Sequence, residues 1–164
     1  MSLRMKPIAA DADIPDFAIN RFTPFRLSVL SNRMTRAVAR VYMKRHRLSA
    51  PEWRTMAVLG LLGAMTANSV VEQTAMDKVR VSRTVTKLLR TGHITRRTDP
   101  LDRRRAILEL TPKGMGVYRQ IVPRALAVEE EILQDLSVAE RAAFESAIGK
   151  LEGRVAAIQF DTQA

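Results

Sequence analysis

Between His93 and Leu110 the chain reads HITRRTDPLDRRRAILEL, where Arg96, Arg97, Arg103, Arg104 and Arg105 crowd around Asp99, Pro100 and Asp102. Just upstream, Lys78, Arg80, Arg83, Lys87 and Arg90 recur along one segment. Guanidinium and ammonium groups at this density suit charge-assisted hydrogen bonding to phosphates and to acceptor atoms on base edges. From Met76 to Arg105 ten basic residues face three acids, which places +7 of the formal net charge of +10 in thirty residues. From Glu129 to Glu152 the balance reverses, with seven acids against two bases. One basic region and one acidic end suit a polyanion met by a single part of the molecule. The competing view of any charge run is a solvated face, but charge this concentrated favours nucleic acid.

Other chemistries find little footing. The sequence has no Gly-rich phosphate loop, nucleophile elbow or metal-spaced cluster of His, Asp and Glu. Asp99 and Asp102 form a nominal carboxylate pair, yet the surrounding arginines would keep both ionised and useless as general acids. We therefore expect no enzyme and no cofactor. With no cysteine there is no disulfide, thiolate metal site or thiol redox switch. His46 and His93 are too few and too far apart to suggest a metal sensor. The longest apolar run, Met56 to Met65, is shorter than the ~18–20 residues of a bilayer span. The expected location is the cytoplasm, with no membrane partner and no secretory signal.

The elements that must position these groups can be read from caps and periodicity. Residues 1–22 form an arm in which Pro7 and Pro15 argue against a long helix. Thr23-Pro24 reads as a cap followed by proline at the first helical position. Leu27, Leu30, Met34, Val38, Val41 and Tyr42 then carry an amphipathic helix to Arg47. Ser49 and Glu52 form a capping box opening a second helix to about Met65, with Trp53 as core. A short helix covers Ser69 to Ala75, and Asp77 caps another from Lys78 to about Thr91, closed by Gly92. Ile94 to Arg97 and Ala106 to Leu110 read as two strands joined by a loop. Thr111-Pro112 starts a long helix that Pro123 is expected to bend. Ser137 and Glu140 cap a last one, carrying Phe144, Ile148, Leu151, Val155 and Ile158. The fold expected is mainly α. Residues 1–22 are an arm, 23–47 a scaffold helix and 48–111 a helix-turn-helix with a two-stranded wing hairpin. Residues 112–164 are C-terminal helices.

A major groove about 12 Å wide admits one helix, read mainly from its N-terminal turns. Lys78, Val79, Arg80, Ser82, Arg83, Thr86 and Lys87 would occupy that surface. Arg80 and Arg83 can each bind guanine bidentately or anchor a phosphate, while Lys78 and Ser82 suit phosphates. On the hairpin, Arg97, Arg103 and Arg105 would face DNA, with Arg103 at the tip entering the minor groove. Asp102 pairing with Arg104 reads as a brace that preorganises the tip. The plainer reading is a hairpin with exposed ion pairs worth about 0–1 kcal/mol.

Residues 48–114 closely resemble the MarR family of bacterial winged helix-turn-helix regulators. The resemblance lies in LSAPEWRTMAVL, MDKVRVSRTVTKLLRTGHITRR, DPLDRRRAILEL and TPKG, most specifically in Asp102-x-Arg104 followed by Leu110-Thr111-x-x-Gly114. It implies a homodimer, joined through the N- and C-terminal helices, on a pseudo-palindromic operator in double-stranded DNA. It also implies a small aromatic or anionic effector bound between the dimerisation region and the DNA-binding lobe. SVVEQTAM departs from the family pattern, placing Ala75 where such turns often carry glycine. The competing function is a winged-helix module for RNA or protein. RNA reading usually employs exposed aromatics, and none lies between Met76 and Arg105.

Overall fold

The computed structural model of the chain describes residues 17–98, 102 and 105–158. In order, the elements are α1 (Thr23–His46), α2 (Ala50–Leu62), β1 (Met65–Thr66), α3 (Ala67–Thr74), α4 (Lys78–Arg90), β2 (Ile94–Thr98), β3 (Ala106–Leu110), α5 (Pro112–Leu133) and α6 (Val138–Ala157). The fold is mainly helical with a small antiparallel sheet in the order β1-β3-β2. The hairpin register runs from Ile94 opposite Leu110 to Thr98 opposite Ala106.

Several boundaries differ from the expectation. The wing sheet has three strands, because Met65 and Thr66 pair with Leu108 and Ile107 of β3. Phe22, with no side-chain cap, precedes α1, and Thr23 lies inside the helix. Helix α2 stops at Leu62, where Gly63 takes φ 85° and turns the chain into β1. Thr66 then caps α3 by accepting from the Ser69 amide, which starts that helix before Ser69. Helix α5 runs from Pro112 to Leu133 with Pro123 inside it.

One core joins the elements. Val81, Val85 and Leu88 of α4 are buried with Met56 and Leu59 of α2, Val70 of α3, Ile94 and Leu108 of the sheet and Ile121 of α5. In α4 the buried positions 81, 84, 85 and 88 form one helical face, so the opposite face is left to solvent. The N-terminal half of α1 and all of α6 contribute nothing to this core. Among the described residues no helix is long and apolar enough to cross a membrane.

The turn between α3 and α4 contains Ala75 at φ 51° and ψ 26°, a left-handed conformation. Such a conformation costs a non-glycine residue about 1–2 kcal/mol, whereas glycine loses about 0.4–1 kcal/mol through its freer unfolded chain. Ala75→Gly is therefore expected to raise stability by about 0.5–1 kcal/mol. Urea unfolding would measure it, and a destabilised variant would mean that the Ala75 methyl packs usefully.

Candidate nucleic-acid interface

The candidate surface is built by the first three turns of α4. Asp77 caps the helix by accepting from the Arg80 amide at 2.7 Å. Lys78, Val79, Arg80, Ser82, Arg83, Thr86 and Lys87 are all exposed. Their common face follows from burial of Val81, Thr84, Val85 and Leu88 on the other side.

The structure separates these residues further. Arg80 lies 3.6 Å from the Asp77 carboxylate and lines a cleft of about 300 Å³ with Ser31, Thr35 and Arg54. Among the described residues, Arg83 makes no ion pair. The Lys87 ammonium donates to Glu52 at 3.0 Å, tying α4 to the start of α2. The sequence pattern places Lys87 on the DNA-facing surface but does not show this partner, which lies thirty-five residues away.

Glu52 is the buried half of that tie, with 2% of its surface exposed. Burial pushes its carboxyl up, but the Ser49 hydroxyl and amide and the Lys87 ammonium outweigh that and hold it below the ordinary value. A carboxylate depressed in the folded state contributes stability above the unfolded value and loses it as pH falls through the folded one. Glu52→Gln is thus expected to cost about 1–2 kcal/mol at neutral pH. The difference from the parent should shrink below about pH 4.5. Denaturant unfolding at several pH values checks this, and a pH-independent difference would remove the charge from the account.

On the wing, Arg97 and Arg105 are exposed. Arg97 Nε lies 3.3 Å from Glu109 of the neighbouring strand, a cross-strand brace not recognised from sequence. Alternation could have found it, since Thr95 opposes Glu109 and Arg97 sits one diagonal step away. The Arg105 amide donates to the Asp102 carbonyl at 2.9 Å. Arg105 also borders a concavity with Ser69 and Glu72 of α3. Arg103 and Arg104, and with them the brace assigned to Asp102 and Arg104, lie outside the described residues.

The C-terminal end of α4 is joined tightly to α5. Thr111 donates its hydroxyl to the Gly92 carbonyl at 2.7 Å and accepts from the Gly114 amide at 3.0 Å. The Lys113 ammonium donates to the Thr91 carbonyl at 2.6 Å, where a cation also suits the negative end of α4. His93 is buried beside this junction, its Nδ1 2.8 Å from the Thr91 hydroxyl. That hydroxyl directs its proton to the Lys87 and Leu88 carbonyls, so the ring supplies the proton at Nδ1. Burial first, and then Lys113, lower the His93 pKa.

A second cavity, of about 270 Å³, lies between α1 and α2, lined by Val38, Tyr42, Trp53 and Arg54. Tyr42 stacks on Trp53 at 5.7 Å and Trp53 on Tyr118 at 6.0 Å. Burial raises the Tyr42 pKa, which Arg54 partly offsets. Among the described residues no group of three or more His, Cys, Asp or Glu is arranged to hold a metal ion.

A cationic helix set against a three-stranded wing is the winged helix-turn-helix arrangement. Residues 47–105 match the MarR family profile. The chain is 28% identical over 97 residues to the uncharacterized HTH-type transcriptional regulator YwoH of Bacillus subtilis, covering 59% of this chain and 70% of that one. A MarR/EmrR family regulator from Acinetobacter superposes with a TM-score of 0.79 at 24% identity, over 87% of this chain and 100% of the other. BpsR of Bordetella bronchiseptica, whose DNA binding is regulated by 6-hydroxynicotinic acid, superposes at 0.74 and 23% identity, over 84% and 98%. Residues 47–105 thus match the MarR family, and the fold of the chain is that of solved MarR-family structures.

Proposed function

We propose that two copies of this chain form a cytoplasmic repressor that binds a pseudo-palindromic operator in double-stranded DNA. One α4 enters each of two successive major grooves. Lys78, Val79, Arg80, Ser82, Arg83 and Thr86 meet the DNA, with Lys87 behind them on its Glu52 tether. The hairpin meets the flanking minor grooves through Arg97, Arg103 and Arg105, with Asp102 and Arg104 bracing the tip. The observation that carries this reading is the exposed polar face of α4 set against its buried apolar one.

The dimer rests on unburied apolar surface at both ends of the chain. Phe25, Leu27 and Leu30 of α1 and Phe144, Ile148, Leu151 and Val155 of α6 are exposed in the single chain. A helix whose apolar residues find no core of its own needs a second copy to cover them. The aromatic cavity at Tyr42, Trp53 and Arg54 supports an effector with an aromatic ring and an anionic group. The regulation of BpsR by 6-hydroxynicotinic acid supports the same class.

The test is selection of bound duplexes from a random library at about 150 mM salt, where non-specific affinity is weak. Enrichment of an inverted repeat with half-sites one helical turn apart is expected. Binding without enrichment, collapsing as salt rises, would leave only an electrostatic footprint and favour an RNA-binding or protein-binding module.

A further inference from the structure

The C-terminal half of α1 and the second half of α5 enclose a cleft of about 600 Å³ that the DNA-binding reading does not use. Arg40, Lys44 and Arg45 reach it from α1 and Arg124 from α5. Its apolar surface comes from Val41 and Ile132, beside Ala37 and Val128. Among the described residues, none of the four cations takes part in an ion pair. Glu131 also lines the cleft, leaving an excess of three positive charges. Lys44 and Arg45 have an ordinary role at the negative C-terminal end of α1. Arg40, more than a turn before that end, and Arg124, within α5, have no such role. Like charges gathered around a concavity repel one another until an anion enters.

We infer that this cleft binds a small amphipathic organic anion, a carboxylate on a short aliphatic body. The lining selects that class. The volume lies within the range of small-molecule sites. The apolar side chains are all aliphatic, with no ring on which a base or phenol could stack. Glu131 would repel a polyphosphate. A DNA backbone would leave the aliphatic floor unused. This cleft is separate from the aromatic cavity at Tyr42 and Trp53: the two share no lining residue, although Ala37 and Val41 precede Val38 and Tyr42 on α1.

His46 supplies a reporter. It follows Arg45 at the end of α1, and its pKa is lowered by burial first and then by Arg45 and Arg124. An anion between those arginines would relieve the repulsion and raise it. Only two histidines are present, so both ring signals can be followed by proton NMR during a pH titration of the full chain. Octanoate is the probe, with octanol and inorganic phosphate for comparison. Saturable binding of octanoate is expected, with a rise in the His46 pKa of about half a unit and a much smaller change at His93. The response should vanish in Arg45→Gln/Arg124→Gln, whose His46 should already titrate higher. It should persist in Arg54→Gln, which alters the aromatic cavity.

An unmoved His46 at 5 mM octanoate, a concentration that occupies any site with Kd below about 1 mM, would overturn the inference. So would an equal response to phosphate, which makes the cleft a general anion site. A response lost in Arg54→Gln but kept in the double variant would assign the ligand to the aromatic cavity instead.

Discussion

Replacing Gly114 with alanine is expected to remove about 3 kcal/mol or more of stability, although glycine-to-alanine inside a helix normally gains about 1 kcal/mol. The reversal comes from one close approach. A Cβ on Gly114 would sit 1.9 Å from the His93 carbonyl oxygen and 2.9 Å from its carbon. Those are backbone atoms with no rotamer to escape into. The same carbonyl accepts the Thr111 amide at 3.0 Å, so moving it away breaks the bond that starts α5. The displaced contacts also include the Lys113 and Thr111 ties to the end of α4. Helix α4 would lose its attachment to α5, and DNA affinity should fall with stability. Gly116, two residues on in the same helix, has open space where its Cβ would lie. Gly116→Ala should follow the ordinary rule and stabilise by up to about 1 kcal/mol. Denaturant unfolding of the two variants side by side is the measurement. A Gly114 variant within 1 kcal/mol of the parent would show that the junction yields easily, and the account of the TPKG segment would fail.

That segment also shows where reading the sequence succeeds and where it stops. Thr111-Pro112 announces a helix start because a capping hydroxyl and a fixed φ act locally. Ser49 with Glu52, Asp77, and Ser137 with Glu140 are legible for the same reason: the Asp77 and Ser137 side chains accept from Arg80 and Glu140, and the Glu52 carboxylate accepts from the Ser49 amide. The burial of Val81, Val85 and Leu88 follows from helical period alone. What escapes is set by residues far apart in the chain. Gly114 is glycine because of His93, and Lys87 is held by Glu52. Strand β1 is two residues long, too short for any alternation, and exists because β3 offers an open edge. The end of α2 reads three residues late because Gly63 looks like one more small residue in an apolar run, when it is the turn. On the interface, sequence reading found the exposed face of α4 but treated Arg80 and Arg83 alike. Only the Asp77 pairing and the cleft beside Arg80 distinguish them.

That distinction carries the second large effect. Arg83→Ala is expected to abolish base preference at one position in each half-site, a loss of discrimination of about 1–3 kcal/mol, or roughly 5-fold to 150-fold. Arg83 projects from the exposed face one turn after Arg80, on the same side as Thr86, and no carboxylate among the described residues holds it back. A guanidinium unpaired in the free protein can turn both donors to the O6 and N7 of guanine without first breaking an ion pair. Arg80 begins from a different state. Its Nε is near the Asp77 carboxylate, and the first turn of α4, where free amides favour phosphate, is beneath it. Arg80→Ala should therefore weaken every duplex about equally and lower the slope of log affinity against log salt by about 1. The two substitutions should leave folding intact, since both side chains are exposed. Repeating the duplex selection with each variant, and titrating salt on one enriched site, separates the roles. A uniform loss for Arg83→Ala, with the enriched sequence unchanged, would make it the phosphate anchor. Relaxed preference for Arg80→Ala would exchange the two assignments and place the reading surface one turn closer to the start of the helix.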